Sequence, residues 1–184
     1  MLQHLYTPAA DLEGVAVDIL ELIKTRRSIR KYKTAPVSEE EINKILEAGR
    51  WAPSADNSQP WRFIVLRSQE VRKRLADTLA WGRFLARAPL GIAVVVNPGA
   101  SSHPVEDGAA ATQNMVLEAH SLGLGACWIG TYGEAYEASA KKVLDVPENE
   151  RLVSVIAIGH PAETRQKTRR ELGELTFTDR YGRR

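Results

Sequence analysis

The run Gly91-Ile92-Ala93-Val94-Val95-Val96 is apolar without a break and is closed by Asn97-Pro98-Gly99. A short apolar run ended by turn residues reads as a buried strand. Three more stretches read as strands: 61–67, where Phe63-Ile64-Val65-Leu66 follows Trp61; 126–131, with Ala126-Cys127-Trp128-Ile129-Gly130; and 151–159, with Leu152-Val153-Ser154-Val155-Ile156-Ala157-Ile158-Gly159. Helical patterns alternate with them. Asp18 opens one helix, with Glu21 at the capping-box offset and Ile19, Leu20, Leu22 and Ile23 as its apolar stripe. Ser38 and Glu41 form a stronger capping box, ahead of an inner face of Ile42, Ile45, Leu46 and Gly49. Val71, Leu75 and Leu79 mark a surface helix over 69–80. Asp107 is expected to cap an alanine-rich helix reaching His120, and 134–144 to form another. Periodicity alone permits a doubly wound parallel sheet.

At 184 residues the chain suits a single domain over 1–184, with 1–15 a weakly structured extension and 171–184 a tail. The net charge of +2 is too small to indicate a nucleic-acid partner. The positive charge is concentrated at 24–33 and 165–170, a distribution that suits a small anionic ligand. Cys127 is the only cysteine, so an intrachain disulfide is impossible and an inert buried thiol is expected. His4, His103, His120 and His160 are scattered, and no metal-ligand spacing is present. No signal peptide and no bilayer-length apolar run is found, so the cytoplasm is expected and a membrane partner is not. Gly123-Leu124-Gly125 follows a helix and precedes a strand, so it reads as a helix C-cap and turn rather than a dinucleotide fingerprint.

Two polar stretches carry the chemistry. In Arg26-Arg27-Ser28-Ile29-Arg30, three guanidinium forks crowd into five positions, with Lys31 and Lys33 beyond. Charge-assisted bonds from such forks to phosphate oxygens are worth roughly 1.5–3 kcal/mol each. An extended chain would put Arg26, Ser28 and Arg30 on one face, whereas a continued helix would swing Ser28 away. A solvated basic run closing a helix, its cations complementing the dipole, is the alternative. The second stretch runs from Trp51 to Trp61. Pro53 and Pro60 stiffen it, while Ser54, Asn57, Ser58 and Gln59 offer donors and acceptors for the edge of a flat heterocycle. A turn whose polar side chains bond only their own backbone is the competing reading.

In this order, with Pro-Ser-x-x-Asn-x-Gln-Pro-Trp following the basic stretch, the two motifs resemble the FMN-dependent nitroreductase family from about residue 17 to about residue 175. The resemblance implies an α+β fold, a mixed and largely antiparallel central sheet flanked by helices, and a homodimer with FMN at its interface. It assigns Arg26, Arg27, Ser28 and Arg30 to the FMN phosphate, ribityl chain and ring edge. Pro53 and Ser54 belong to the loop that the partner subunit brings to the flavin, with Asn57 and Gln59 in the same motif. Backbone N–H groups near Trp128, Ile129 and Gly130 would face the ring edge. Lys167 and Arg169 would fold back onto the phosphate, with Arg170 a close competitor.

No protein nucleophile or base is evident, which agrees with flavin N5 as the reactive centre. The resemblance implies ping-pong transfer from NADH or NADPH to a nitroaromatic, quinone or similar small oxidant. Reductive dehalogenation or flavin fragmentation, or non-catalytic FMN binding, are the alternatives. Relatives carry an asparagine and a lysine that reach the flavin near the position where this chain has Trp81 and Phe84; a core or lid role is expected for Trp81. The tail after Leu175 is expected to wrap the partner.

Overall fold

The structure, a computed structural model, describes residues 18–183. The expected extension over 1–15 lies outside the described residues. Among the described residues, six α-helices and four strands follow in the order α1 (Ile19–Thr25), α2 (Glu39–Arg50), β1 (Trp61–Leu66), α3 (Gln69–Thr78), β2 (Leu90–Val96), α4 (Pro104–Ser121), β3 (Gly125–Gly130), α5 (Glu137–Val143), β4 (Arg151–Gly159) and α6 (Leu172–Leu175). Short 3-10 turns occupy Ala55–Asn57 and Arg83–Arg87.

The strands form one sheet in the order β1-β2-β4-β3, and all three pairings are antiparallel. The parallel doubly wound option is therefore excluded. The only parallel element among the described residues is a bridge from Ser28 to Ala126, outside the four strands.

The two faces of the sheet carry separate cores because side chains alternate along each strand. Ile92, Val94 and Val96 of β2 pack with Ile42 and Ile45 of α2 and with Ala111, Met115 and Ala119 of α4. Ala93 and Val95 face the other way, against Leu75 and Ala76 of α3 and Ala140 of α5. Full burial of each such Ile, Leu or Val side chain stabilises the fold by roughly 1.5–3 kcal/mol. One polar pair is sealed inside: the Thr112 hydroxyl donates to the Gly108 carbonyl at 2.7 Å, leaving its oxygen to accept from Ser154 Oγ at 2.8 Å.

The caps follow the residue pattern where the cause is local. Ser38 and Glu41 form the reciprocal capping box at the start of α2. Asp18 accepts from the N–H groups of Leu20 and Glu21, while the Glu21 carboxylate pairs with Lys24 instead of reaching back. Gly123, at φ 75°, takes the left-handed conformation expected after a helix. Two expectations fail. Helix α4 starts at Pro104, three residues before Asp107, with His103 at the cap position. Proline at the first helical position costs no hydrogen bond and begins the helix early. Helix α5 starts at Glu137 rather than 134, because residues 134–137 close a separate turn, with Glu137 N–H on the Glu134 carbonyl at 2.9 Å. No helix among the described residues is long and apolar enough to cross a membrane.

Candidate functional site

After α1 the chain does not continue as helix. Residues 26–33 run as an extended strap along the start of β3 and the segment leaving β4. Ile29 N–H donates to the Ala126 carbonyl at 3.0 Å, Lys33 N–H to His160 O at 2.9 Å, and Ala162 N–H to Lys31 O at 2.9 Å. The Tyr32 hydroxyl lies against the carbonyls of Ile29 and Ala157, and its burial raises its pKa. The Glu163 carboxylate clamps the strap from the other side. Its Oε1 accepts from Arg30 N–H at 2.6 Å and from Lys31 N–H at 3.2 Å, and its Oε2 from Arg165 at 3.0 Å.

This strap and the returning segment enclose a cavity of about 210 Å³ lined by Arg26, Arg27, Ser28, Arg30, Arg165, Lys167 and Arg169. Six of the seven are cationic and none is acidic. Like charges so close are costly without an anion between them. Arg26 records that cost: its guanidinium is held below its ordinary pKa, first by burial and then by Arg169 and Arg27. Arg27 does double duty. Its Nη1 donates to the Lys24 and Arg26 carbonyls at the end of α1, so the helix-closing reading is partly realised. Its Nε is buried without a partner among the described residues. An oxyanion with several acceptor oxygens suits this set, so the residues present fit a phosphate.

A second cavity, of about 570 Å³, adjoins the first and shares Arg30 with it. Trp81, Phe84, Trp128, Ile129, Gly130 and Tyr136 line it together with Cys127 and Glu134. Strand β3 is an edge of the sheet, and only its first turn of backbone is occupied by the strap. The backbone from Cys127 to Gly130 has no strand neighbour on its outer side, and a Cβ placed on Gly130 would meet nothing within 4 Å. Cationic groups at one end and an aromatic-walled chamber at the other suit a molecule with an anionic tail and a planar ring.

The loop of Pro53, Ser54, Asn57 and Gln59 does not line either cavity. Its polar groups bond locally: Ser54 Oγ accepts from Gln59 N–H at 3.0 Å, and Gln59 Nε2 donates to Asn57 Oδ1 at 3.2 Å. Asp56, Asn57 and Gln59 all hold positive φ, at 51°, 54° and 47°, an uncommon concentration for non-glycine residues. The strained loop leaves Pro53 on the surface, free to face another molecule.

The expected residues Arg26, Arg27, Ser28, Arg30, Lys167 and Arg169 thus converge on one cavity, and Trp128, Ile129 and Gly130 on its neighbour. Arg170 does not line either. Trp81 is exposed rather than buried in the core. Two participants went unrecognised from residue types. Arg165 joins the cation set, and Glu163 holds the strap; a lone glutamate in a basic segment was the available signal. Asp107, expected to cap the helix, instead holds the 54–59 loop through the Ala55 N–H.

A model of the nitroreductase family matches residues 23–82 and 77–160. A protein of Archaeoglobus fulgidus, assigned as an NADH dehydrogenase/NAD(P)H nitroreductase, is 40% identical over 151 residues, covering 79% of this chain and 87% of its own. The crystal structure of a Parabacteroides distasonis protein with the same assignment aligns with a TM-score of 0.84 at 31% identity, over 88% of this chain and 98% of that one. A Desulfovibrio desulfuricans protein, assigned as a nitroreductase and solved in complex with FMN, aligns with a TM-score of 0.80 at 36% identity, over 89% and 98%. The sheet, the cationic cavity and these likenesses agree, and the chain belongs to the nitroreductase family.

Proposed function

We propose that the chain is an FMN-dependent NAD(P)H oxidoreductase that passes reducing equivalents to a nitroaromatic, quinone or similar small oxidant. The observation that carries this reading is the cavity with six cationic side chains and no acid, open to an aromatic chamber. FMN, when bound, supplies the two-electron carrier between the nicotinamide donor and the oxidant. Arg26, Arg27, Arg30, Arg165, Lys167 and Arg169 hold the phosphate, and Ser28 offers a hydroxyl beside it. Backbone N–H groups on the open edge from Trp128 to Gly130 stabilise negative charge that develops on the reduced ring. The FMN complex of the Desulfovibrio relative supports the cofactor, and the name of the Archaeoglobus relative supports the donor.

The working unit is a homodimer of single-domain subunits, with Pro53, Ser54, Asn57 and Gln59 presented toward the flavin of the partner. Exposed apolar side chains support this. Ile19, Leu20 and Ile23 of α1, Trp51 after α2, and Leu172, Leu175 and Phe177 of the tail all lie on the surface of one subunit. Apolar surface on this scale marks an interaction face. The lone cysteine and the nicotinamide donor fit a cytoplasmic setting. Purified protein should be yellow and should elute as a dimer. NADH or NADPH should bleach its flavin band without oxygen, and air or a quinone should restore it. Binding without bleaching would instead indicate a non-catalytic flavin carrier.

A further inference from the structure

Trp81 lines the aromatic chamber and is 84% exposed in the single chain. It is not on a loose segment. Leu79 and Leu85, on either side, are 2% and 0% exposed. Gly82 N–H bonds Leu79 O at 3.5 Å, and Leu85 N–H bonds Gly82 O at 2.9 Å, so the turn that carries the indole is pinned at both ends. An aromatic ring held in water by a built turn forgoes the burial that normally makes such side chains stabilising. The other walls of the aromatic chamber are already engaged. Phe84 lies under the Arg30 guanidinium at 5.7 Å, and Tyr136 donates its hydroxyl proton to the Gly130 carbonyl at 2.9 Å. Trp128, 37% exposed, lines the same chamber as Trp81. The chamber therefore has two indoles with no aromatic or cationic partner among the described residues, beside the strand edge expected to meet the flavin ring.

We propose that Trp81 is a specificity-determining residue whose indole stacks on the planar ring of the incoming oxidant, with Trp128 as the opposite wall of the chamber. The proposal rests on the flavin reading above. Stacking favours flat, electron-poor rings and gives nothing to a compact inorganic oxidant. The test uses the FMN-loaded enzyme with menadione and with ferricyanide, which accepts electrons without stacking. Because kcat/KM for the oxidant is independent of the first half-reaction in ping-pong turnover, it isolates this encounter. Trp81→Ala should lower the ratio of kcat/KM for menadione to that for ferricyanide by about three- to tenfold, the scale of one aromatic pair. Trp81→Phe should keep most of the menadione rate. In oxidised protein without nicotinamide, the menadione Kd read from flavin absorbance should weaken by the same factor in Trp81→Ala, while the Kd for FMN stays constant. Wild-type protein that does not take up FMN would defeat the flavin reading and this proposal together. Coloured protein whose Trp81→Ala variant treats the two oxidants alike, or whose menadione Kd is unmoved, would defeat this proposal alone.

Discussion

The Asp107 carboxylate accepts a hydrogen bond from the backbone N–H of Ala55 at 3.0 Å, across 52 positions of chain. Its other oxygen accepts from Ser101 Oγ at 2.5 Å, and the side chain is buried in the first turn of α4. The helix N-terminus favours a negative charge there. One carboxylate thus ties the strained 54–59 loop, the loop before α4 and the helix itself into a single unit.

Removal of that tie should be expensive. Asp107→Ala leaves the Ala55 N–H without its charged acceptor, and a loss of roughly 2–3 kcal/mol is expected. Urea denaturation measures it, and hydrogen exchange at 55–59 should accelerate. Asp107→Asn, which retains an acceptor for Ala55, should lose about half as much. Equal stability of the Ala variant would show that the loop is held by other means.

The cationic cavity separates Arg169 from its neighbour. Arg26→Ala and Arg169→Ala should each weaken FMN by tenfold or more, on the order of 1.5–3 kcal/mol for a charge-assisted phosphate bond. Arg170→Ala should leave the affinity unchanged, since Arg170 does not line the cavity. Flavin fluorescence titration gives all three constants. A loss confined to Arg170→Ala would reverse the assignment.

Gly125 sits where strap and sheet meet. A Cβ there would lie 2.8 Å from both Cβ and Cγ2 of Ile29, closer than carbon atoms approach. Ile29 is β-branched and buried, so it cannot swing aside. Gly125→Ala should push the strap from β3, costing about 1–3 kcal/mol of stability and weakening FMN binding several-fold. Thermal melts with and without FMN report both effects, and a variant that melts and binds like wild type would contradict the packing argument.

His120 links the strap to acid sensitivity. Thr25 gives its hydroxyl proton to the Glu21 carbonyl at 2.7 Å, so His120 Nε2–H is the donor in its 3.0 Å contact with Thr25 Oγ1. Burial, then Arg26 and Arg27, depress the pKa of the half-buried imidazole below its usual 6.5. A depressed value means that the folded state takes up the proton less readily than the unfolded chain. The stability this provides is present above pH 6.5 and is lost as pH falls through the folded pKa. Denaturation curves between pH 7.5 and 5 should show a smaller acid loss for His120→Gln than for wild type. Parallel losses would remove His120 from the account.

Cys127 lines the aromatic chamber, and its burial raises the thiol pKa above the usual value. A thiolate-directed reagent such as iodoacetamide at pH 8 should therefore modify the native protein far more slowly than the urea-unfolded chain. Similar rates, followed by mass spectrometry, would mean that the chamber is open enough to ionise it.

How much could be read without the structure divides along the range of the interactions. The strands, the Ser38–Glu41 capping box and the glycine turn at 123 depend on neighbours a few positions apart, and residue order alone determines them. The cation-rich stretch at 26–30 was legible for the same reason, as was the family. The antiparallel order β1-β2-β4-β3 was not, because periodicity records that a strand is buried and not which strand lies beside it. Arg165 and Arg170 are equivalent as residue types in one basic segment. Only the path of the chain after His160, set by its pairing with Lys31 and Lys33, turns one toward the cavity and the other away from it. Asp107 resembles a helix cap locally, yet its partner Ala55 lies on a loop that the packing of α4 against α2 brings near. The charges and the helices belong to the sequence; the cavity they form belongs to long-range backbone pairing, whose chain-entropy cost is met only when the whole sheet and both its cores assemble.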